Sequence, residues 1–113
     1  MTEQYQVTIE SQLGPRKGLL TLIYRDGYVA GSLDLVGHVN AIRGIQSEDG
    51  VLHLFHPIQT AVSTFLCETL LELEEGRLRG TTRAAPCHMR WEGALVRREP
   101  QPLWSESREE WDL

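Results

Sequence analysis

The chain has 113 residues, enough for one domain with one core; 41% of them are hydrophobic and 24% charged, a balance that excludes wholesale disorder. Its formal net charge of −5 argues against nucleic acid as a general partner, because a phosphate backbone rewards surplus Lys and Arg. No run approaches the ~18 apolar residues of a membrane helix, and the polar start Met1 to Gln6 lacks a signal core; no membrane partner and a cytoplasmic address are expected.

Tyr5, Val7 and Ile9 alternate with Gln4, Gln6 and Thr8, which predicts a strand with one wet face. Leu13-Gly14-Pro15 reads as a turn. Leu19 to Tyr24 is apolar on both faces, so it needs cover from the core on one side and from something else on the other. Asp26-Gly27 follows, a hairpin signal because Gly tolerates the positive φ of tight turns. Tyr28 to Val36 puts Val29, Gly31, Leu33 and Leu35 on one face, with Gly31 marking a bend of the kind found at barrel corners. Gly37-His38 turns the chain into Val39 to Gln46, which holds Gly44. Ser47-Glu48-Asp49-Gly50 then leads to Val51 to His56, and Pro57 is expected to close that run.

Residues 60–73 read two ways. With period 3.6, Val62, Phe65, Leu66, Leu70 and Leu73 form a stripe and Gly76 is a helix C-cap. With period 2, Phe65, Cys67, Thr69, Leu71 and Leu73 share one face of a strand. Hairpins on both sides and the β-rich start favour strand; a helix is the alternative and would make the fold α+β. After Glu75-Gly76, Arg77 to Thr82 is a strand, Ala85-Pro86-Cys87 a turn, and Met89 to Val96 the last strand, with Met89, Trp91, Gly93 and Leu95 on one face. Residues 1–98 therefore form the domain. Residues 99–113 form a tail marked by Pro100 and Pro102, whose Trp104 and Trp111 are expected to dock on a sheet face or a partner, since burying an aromatic side chain stabilises by roughly 2–3 kcal/mol.

Little in the chain carries chemistry. No nucleophile elbow, phosphate loop or paired-cysteine motif is present, and no catalytic residue or cofactor is assigned. His53 and His56 are three apart and so face opposite ways on one strand. They could join Cys87 and His88 as metal ligands only through a break at Pro57, so no metal is expected. Cys67 or Cys87 beside a histidine lacks an orienting residue and an oxyanion loop, and the two cysteines read as free thiols. Arg77, Arg79 and Arg83, or Arg90, Arg97 and Arg98, read as solvated strand faces rather than a basic binding patch.

Gly27-Tyr-Val-Ala-Gly31-Ser-Leu, Gly76-Arg-Leu-Arg-Gly80-Thr and the closing Trp91-Glu-Gly93 resemble the strands of small calycin or avidin-like antiparallel barrels of bacteria. The lipocalin opening Gly-x-Trp and the tryptophan set of a biotin pocket have no counterpart here, so the resemblance implies a fold and no ligand. The expected architecture is all-β, an up-and-down meander of seven or eight strands closing into a small barrel.

Two functions fit it. One is a non-enzymatic module that self-associates, as a homodimer, or binds a protein partner through Leu19, Ile23 and Trp104. The alternative is binding of a small hydrophobic or aromatic ligand at the barrel mouth by Tyr24, His53, Phe55 and Trp91. A packed interior favours the first and an internal cavity the second.

Overall fold

In the computed structural model, which describes residues 1–11, 14–35, 37–59, 63–84 and 87–99, the chain forms eight antiparallel strands in sequence order. They are β1 (Thr2–Ser11), β2 (Gly14–Arg25), β3 (Tyr28–Leu35), β4 (His38–Gln46), β5 (Leu52–Gln59), β6 (Thr64–Glu74), β7 (Arg77–Ala84) and β8 (Cys87–Glu99). Each pairs with its sequence neighbour, and β1 pairs with β8, so the sheet closes into a barrel. The helix alternative for residues 60–73 falls away over the described residues 63–73: β6 is a strand, and its buried positions Cys67, Thr69 and Leu71 keep strict period 2. Among the described residues there is no helix, hence none long and apolar enough to cross a membrane. The parts of the turns and tail at residues 12–13, 36, 60–62, 85–86 and 100–113, Trp104 and Trp111 among them, lie outside the described residues.

Three acidic-Gly signals behave as their chemistry dictates, in two ways. Asp26 (φ 52°) and Gly27 (φ 82°), like Glu75 (φ 51°) and Gly76 (φ 79°), take positive φ at both central positions of two-residue loops, the type I′ geometry that matches strand twist. The third loop is longer. The Gly50 amide donates to the Ser47 carbonyl and the Ser47 amide to the Val51 carbonyl, both at 2.9 Å, with positive φ only at Gly50. That is a turn followed by a glycine bulge. Its Asp49 carboxylate accepts from the Ser47 hydroxyl and the Val51 amide, which hold its pKa below the ordinary carboxylate range.

Pro57 does not end its strand. β5 pairs with β4 only from Leu52 to Phe55, so Pro57, which has no N–H to give, lies past the end of that ladder, and pairing with β6 continues to Gln59.

The inward face of the barrel is built on alternate residues: Tyr5, Val7 and Ile9 from β1, Leu20 and Leu22 from β2, Val29, Leu33 and Leu35 from β3, then Ile42, Leu52, Leu54, Ile58, Leu71, Leu78 and Trp91. Closure demands sharp bending, and glycine supplies it at inward positions. A Cβ on Gly44 would collide with the carbonyl oxygen of His53, the residue before its cross-strand partner Leu54. Gly31 meets the Thr21 carbonyl in the same way, before its partner Leu22. Gly18, Gly80 and Gly93 repeat this relation on β2, β7 and β8. The obstacle in each case is backbone, which cannot swing aside as a side chain can.

Gly44→Ala should therefore destabilise the barrel by about 2–3 kcal/mol, the upper part of the overpacking range. Gly27→Ala, where nothing lies within 4 Å of the new Cβ, should act only through its positive φ and cost about 1 kcal/mol. Urea midpoints of the two variants beside wild type measure the difference.

Candidate functional site

Three places concentrate functional side chains: a polar chain inside the barrel, a charged cluster at one end, and an apolar outer face.

The polar chain arises because three neighbouring strands each put one polar residue among inward apolar ones. His56 continues the Leu52-Leu54 face of β5, Thr69 sits between Cys67 and Leu71 on β6, and Thr82 follows Leu78 and Gly80 on β7. Thr69 and Thr82 are directly opposite in register. Trp91 of β8 lies opposite Gly80, so its indole has no side chain to clear on β7. The hydrogen bonds run from Trp91 Nε1 to Thr82 Oγ1 (2.6 Å), between Thr82 Oγ1 and Thr69 Oγ1 (2.6 Å), between Thr69 Oγ1 and His56 Nε2 (2.7 Å), and between His56 Nδ1 and the Pro57 carbonyl (3.2 Å).

Both ends fix their direction. An indole N–H can only donate and a carbonyl can only accept. Hence Thr82 donates to Thr69, Thr69 donates to His56 Nε2, and the histidine carries its proton on Nδ1. Burial pushes the His56 pKa down, keeping the ring neutral, and the Trp91 indole packs edge-on against it at 5.8 Å between centroids. All four residues are at most 4% exposed. The arrangement is sealed: its one basic nitrogen already accepts a hydrogen bond, and no substrate reaches it.

The charged cluster depends on a bulge. From Trp91 to Leu95, β8 faces odd-numbered residues inward, with Leu95 opposite Tyr5. Val96 is then skipped, Arg97 pairs with Gln4, and Arg98 comes to face Glu3. Glu3, whose side chain is 4% exposed, accepts from Arg98 Nε at 2.8 Å, with Nη2 at 2.6 Å, and from the Tyr5 hydroxyl at 3.2 Å. The Tyr5 pKa is pushed up to about 12 by burial and then by the Glu3 charge. The Tyr24 hydroxyl, buried without a hydrogen-bond partner among the described residues, has its pKa raised further, by burial first and then by the nearby Glu3 carboxylate. Arg98, read from sequence as a solvated cation, is instead the partner of a buried carboxylate.

The outer face of β3 to β6 carries side chains that an isolated barrel has no reason to expose. Tyr28 (68% exposed), Ile45, His53 and Leu70 form one row across the four strands, and Ala30, Arg43, Phe55 (54%) and Glu68 form the next. Leu66, 83% exposed, stands opposite Pro57 beyond them. The outer faces of β7 and β8 present Arg77, Arg79, Arg90 and Glu92 to solvent instead. A concavity of about 1330 Å³ is also on the outside, open, and bordered by residues such as Gln6, Lys17, Glu72 and Arg79.

The residues expected at a barrel mouth are not brought together. Tyr24 and Trp91 point into the barrel, with Trp91 fully buried, whereas His53 and Phe55 point outward from β5. Of the expected interface residues, Ile23 is outward, 41% exposed, and continues the Ala30-Arg43-Phe55 row onto β2. Leu19 is outward but half-buried at the edge of the concavity. Among the described residues no three His, Cys, Asp or Glu side chains cluster as a metal site would need. Cys67 is a free, buried thiol whose pKa burial raises to about 11, far from the thiolate a nucleophile needs. Comparison with protein-family models, curated proteins and solved structures finds no match to this chain.

Two pH limits follow. His56 binds its proton more weakly folded than unfolded, so stability is full above its ordinary pKa of 6.5 and falls as pH drops below it, by up to about 1.4 kcal/mol per pH unit. The urea midpoint should decline from pH 7 to 5, and His56→Gln should flatten that decline. Tyr5 behaves oppositely. Its raised folded pKa leaves stability intact below 10 and removes it as pH rises towards 12, a loss that Tyr5→Phe should reduce in alkaline melts.

Proposed function

We propose that this barrel is a non-enzymatic binding module that joins a second protein surface, its own or a partner's, through the outer face of β3 to β6. The observation that carries the reading is the joint exposure of Tyr28, Ile45, Phe55, Leu66 and Leu70 on one side of a small barrel. Contiguous apolar surface of this kind, mixed with a few charges, characterises interfaces. Ile23 extends the same face, as the doubly apolar β2 led one to expect.

The interior supports the same reading. Trp91, Leu20, Leu22, Leu33, Leu52, Leu54 and Leu71 are fully buried against one another, and an interior ligand would have to displace them. Enzymatic use of the buried histidine would require opening a chain of hydrogen bonds that is complete as it stands. The free Cys67 thiol is compatible with a reducing, cytoplasmic setting. The resemblance to calycin-like barrels lies in the strand pattern and implies no ligand.

Light scattering of the purified full chain should report a mass above one protomer at micromolar concentration. Phe55→Asp should return it to one protomer that still unfolds cooperatively, because the side chain is exposed in the single barrel. A monomer at all concentrations, with no protein captured by immobilised wild type and lost by the Phe55→Asp form, would remove the reading.

A further inference from the structure

We infer that the partner of this face is a second copy of the chain, docked about a two-fold axis that lies between the two copies, parallel to β5, and passes between the two Phe55 rings; the inference rests on the reading of β3 to β6 as the binding face.

Two barrels that meet by convex faces touch along one strand and its immediate flanks. On this face β5 is the strand flanked by opposite charges in one register row: Phe55, 54% exposed, has Arg43 beside it on β4 and Glu68 beside it on β6. Neighbouring strands lie about 4.8 Å apart, which places one positive and one negative group at equal distance on either side of the ring. The next row has the same form with apolar flanks: Ile45 on β4, His53 on β5, Leu70 on β6.

A symmetric dimer of facing sheets has its axis in the plane between them, and the two limiting directions are along the strands and across them. An axis across the strands sets β4 over its own copy. Arg43 then meets Arg43 and Glu68 meets Glu68 at about 10 Å between sheets, within reach of their extended side chains. An axis along β5 exchanges the flanks. Each Arg43 then faces the other copy's Glu68, each Ile45 the other Leu70, and the two Phe55 rings meet at the centre. The face is self-complementary in one of these arrangements and self-repelling in the other. Opposite charges flanking an apolar strip fix orientation more than they add affinity.

The test combines charge reversal with cross-linking of the full chain. Arg43→Glu and Glu68→Arg should each weaken the dimer roughly tenfold, and the double variant should restore it, because reversal at both positions re-forms both pairs. Phe55→Cys should join two copies through a short bifunctional maleimide. Tyr28→Cys should not, since β3 lies two strands from the axis and its copy falls on the far side; wild type controls for Cys67 and Cys87. A dimer that Phe55→Asp still breaks, but that neither cross-links at Phe55→Cys nor recovers in the double variant, would overturn the axis and leave the binding face standing. A wild type that is monomeric yet captures another protein through Phe55 would overturn the second copy as partner. A monomer that captures nothing would remove both readings.

Discussion

Eight antiparallel strands become a barrel only where the sheet bends enough for β1 to meet β8, and here the bending depends on missing side chains. Five inward glycines stand in the same relation to the neighbouring strand, each against the carbonyl before its directly opposed residue. The corners they make are tighter than any Cβ allows. Large residues fill the remaining inward positions, and the trade is local where Gly80 stands opposite Trp91. Interior packing and barrel closure are thus one constraint seen from two sides.

Within that packed interior, polarity is confined to groups that satisfy one another. The chain from Trp91 to Pro57 crosses four strands and ends in a donor at one side and an acceptor at the other, so every hydroxyl on it has a single orientation. Glu3 and Arg98 link β1 to β8 where the barrel closes. Both clusters use polar chemistry to specify which strands meet and in what register. The exposed aromatic and leucine side chains lie elsewhere, on the outer face of β3 to β6, free of the core.

Much of this architecture was legible in the sequence. Alternation in Tyr5-Val7-Ile9, in the β6 run and in Met89-Trp91-Gly93-Leu95 identified the inward faces, and the acidic-Gly pairs marked three hairpins. The site was less legible. Glu3 continues the Tyr5-Val7-Ile9 parity by one step, which signals a buried carboxylate, but its partner depends on the bulge at Val96, and nothing in Leu95-Val96-Arg97 announces a skipped residue. The polar chain posed a related problem. His56, Thr69 and Thr82 each sit on an inward face by simple alternation, yet their adjacency follows from register between strands, which periodicity within one strand does not contain. Phe55 was misplaced at a barrel mouth because β5 is apolar on both faces, which conceals the fact that it is out of phase with Leu52, Leu54 and His56.

The pairing of β1 with β8 also divides the molecule by the distance the chain must travel. Seven of the eight junctions join consecutive strands, and each can zip from its own turn at small entropic expense. The eighth brings together residues as far apart as Glu3 and Arg98, with nearly the whole described chain as its loop. Such a seam has nothing to close on until the glycine corners have curled the meander, so it is the step that separates an open, edge-bearing sheet from the native barrel. The buried ion pair and the skipped Val96 lie on that seam, where a sheet assembled from local hairpins becomes a single cooperative unit.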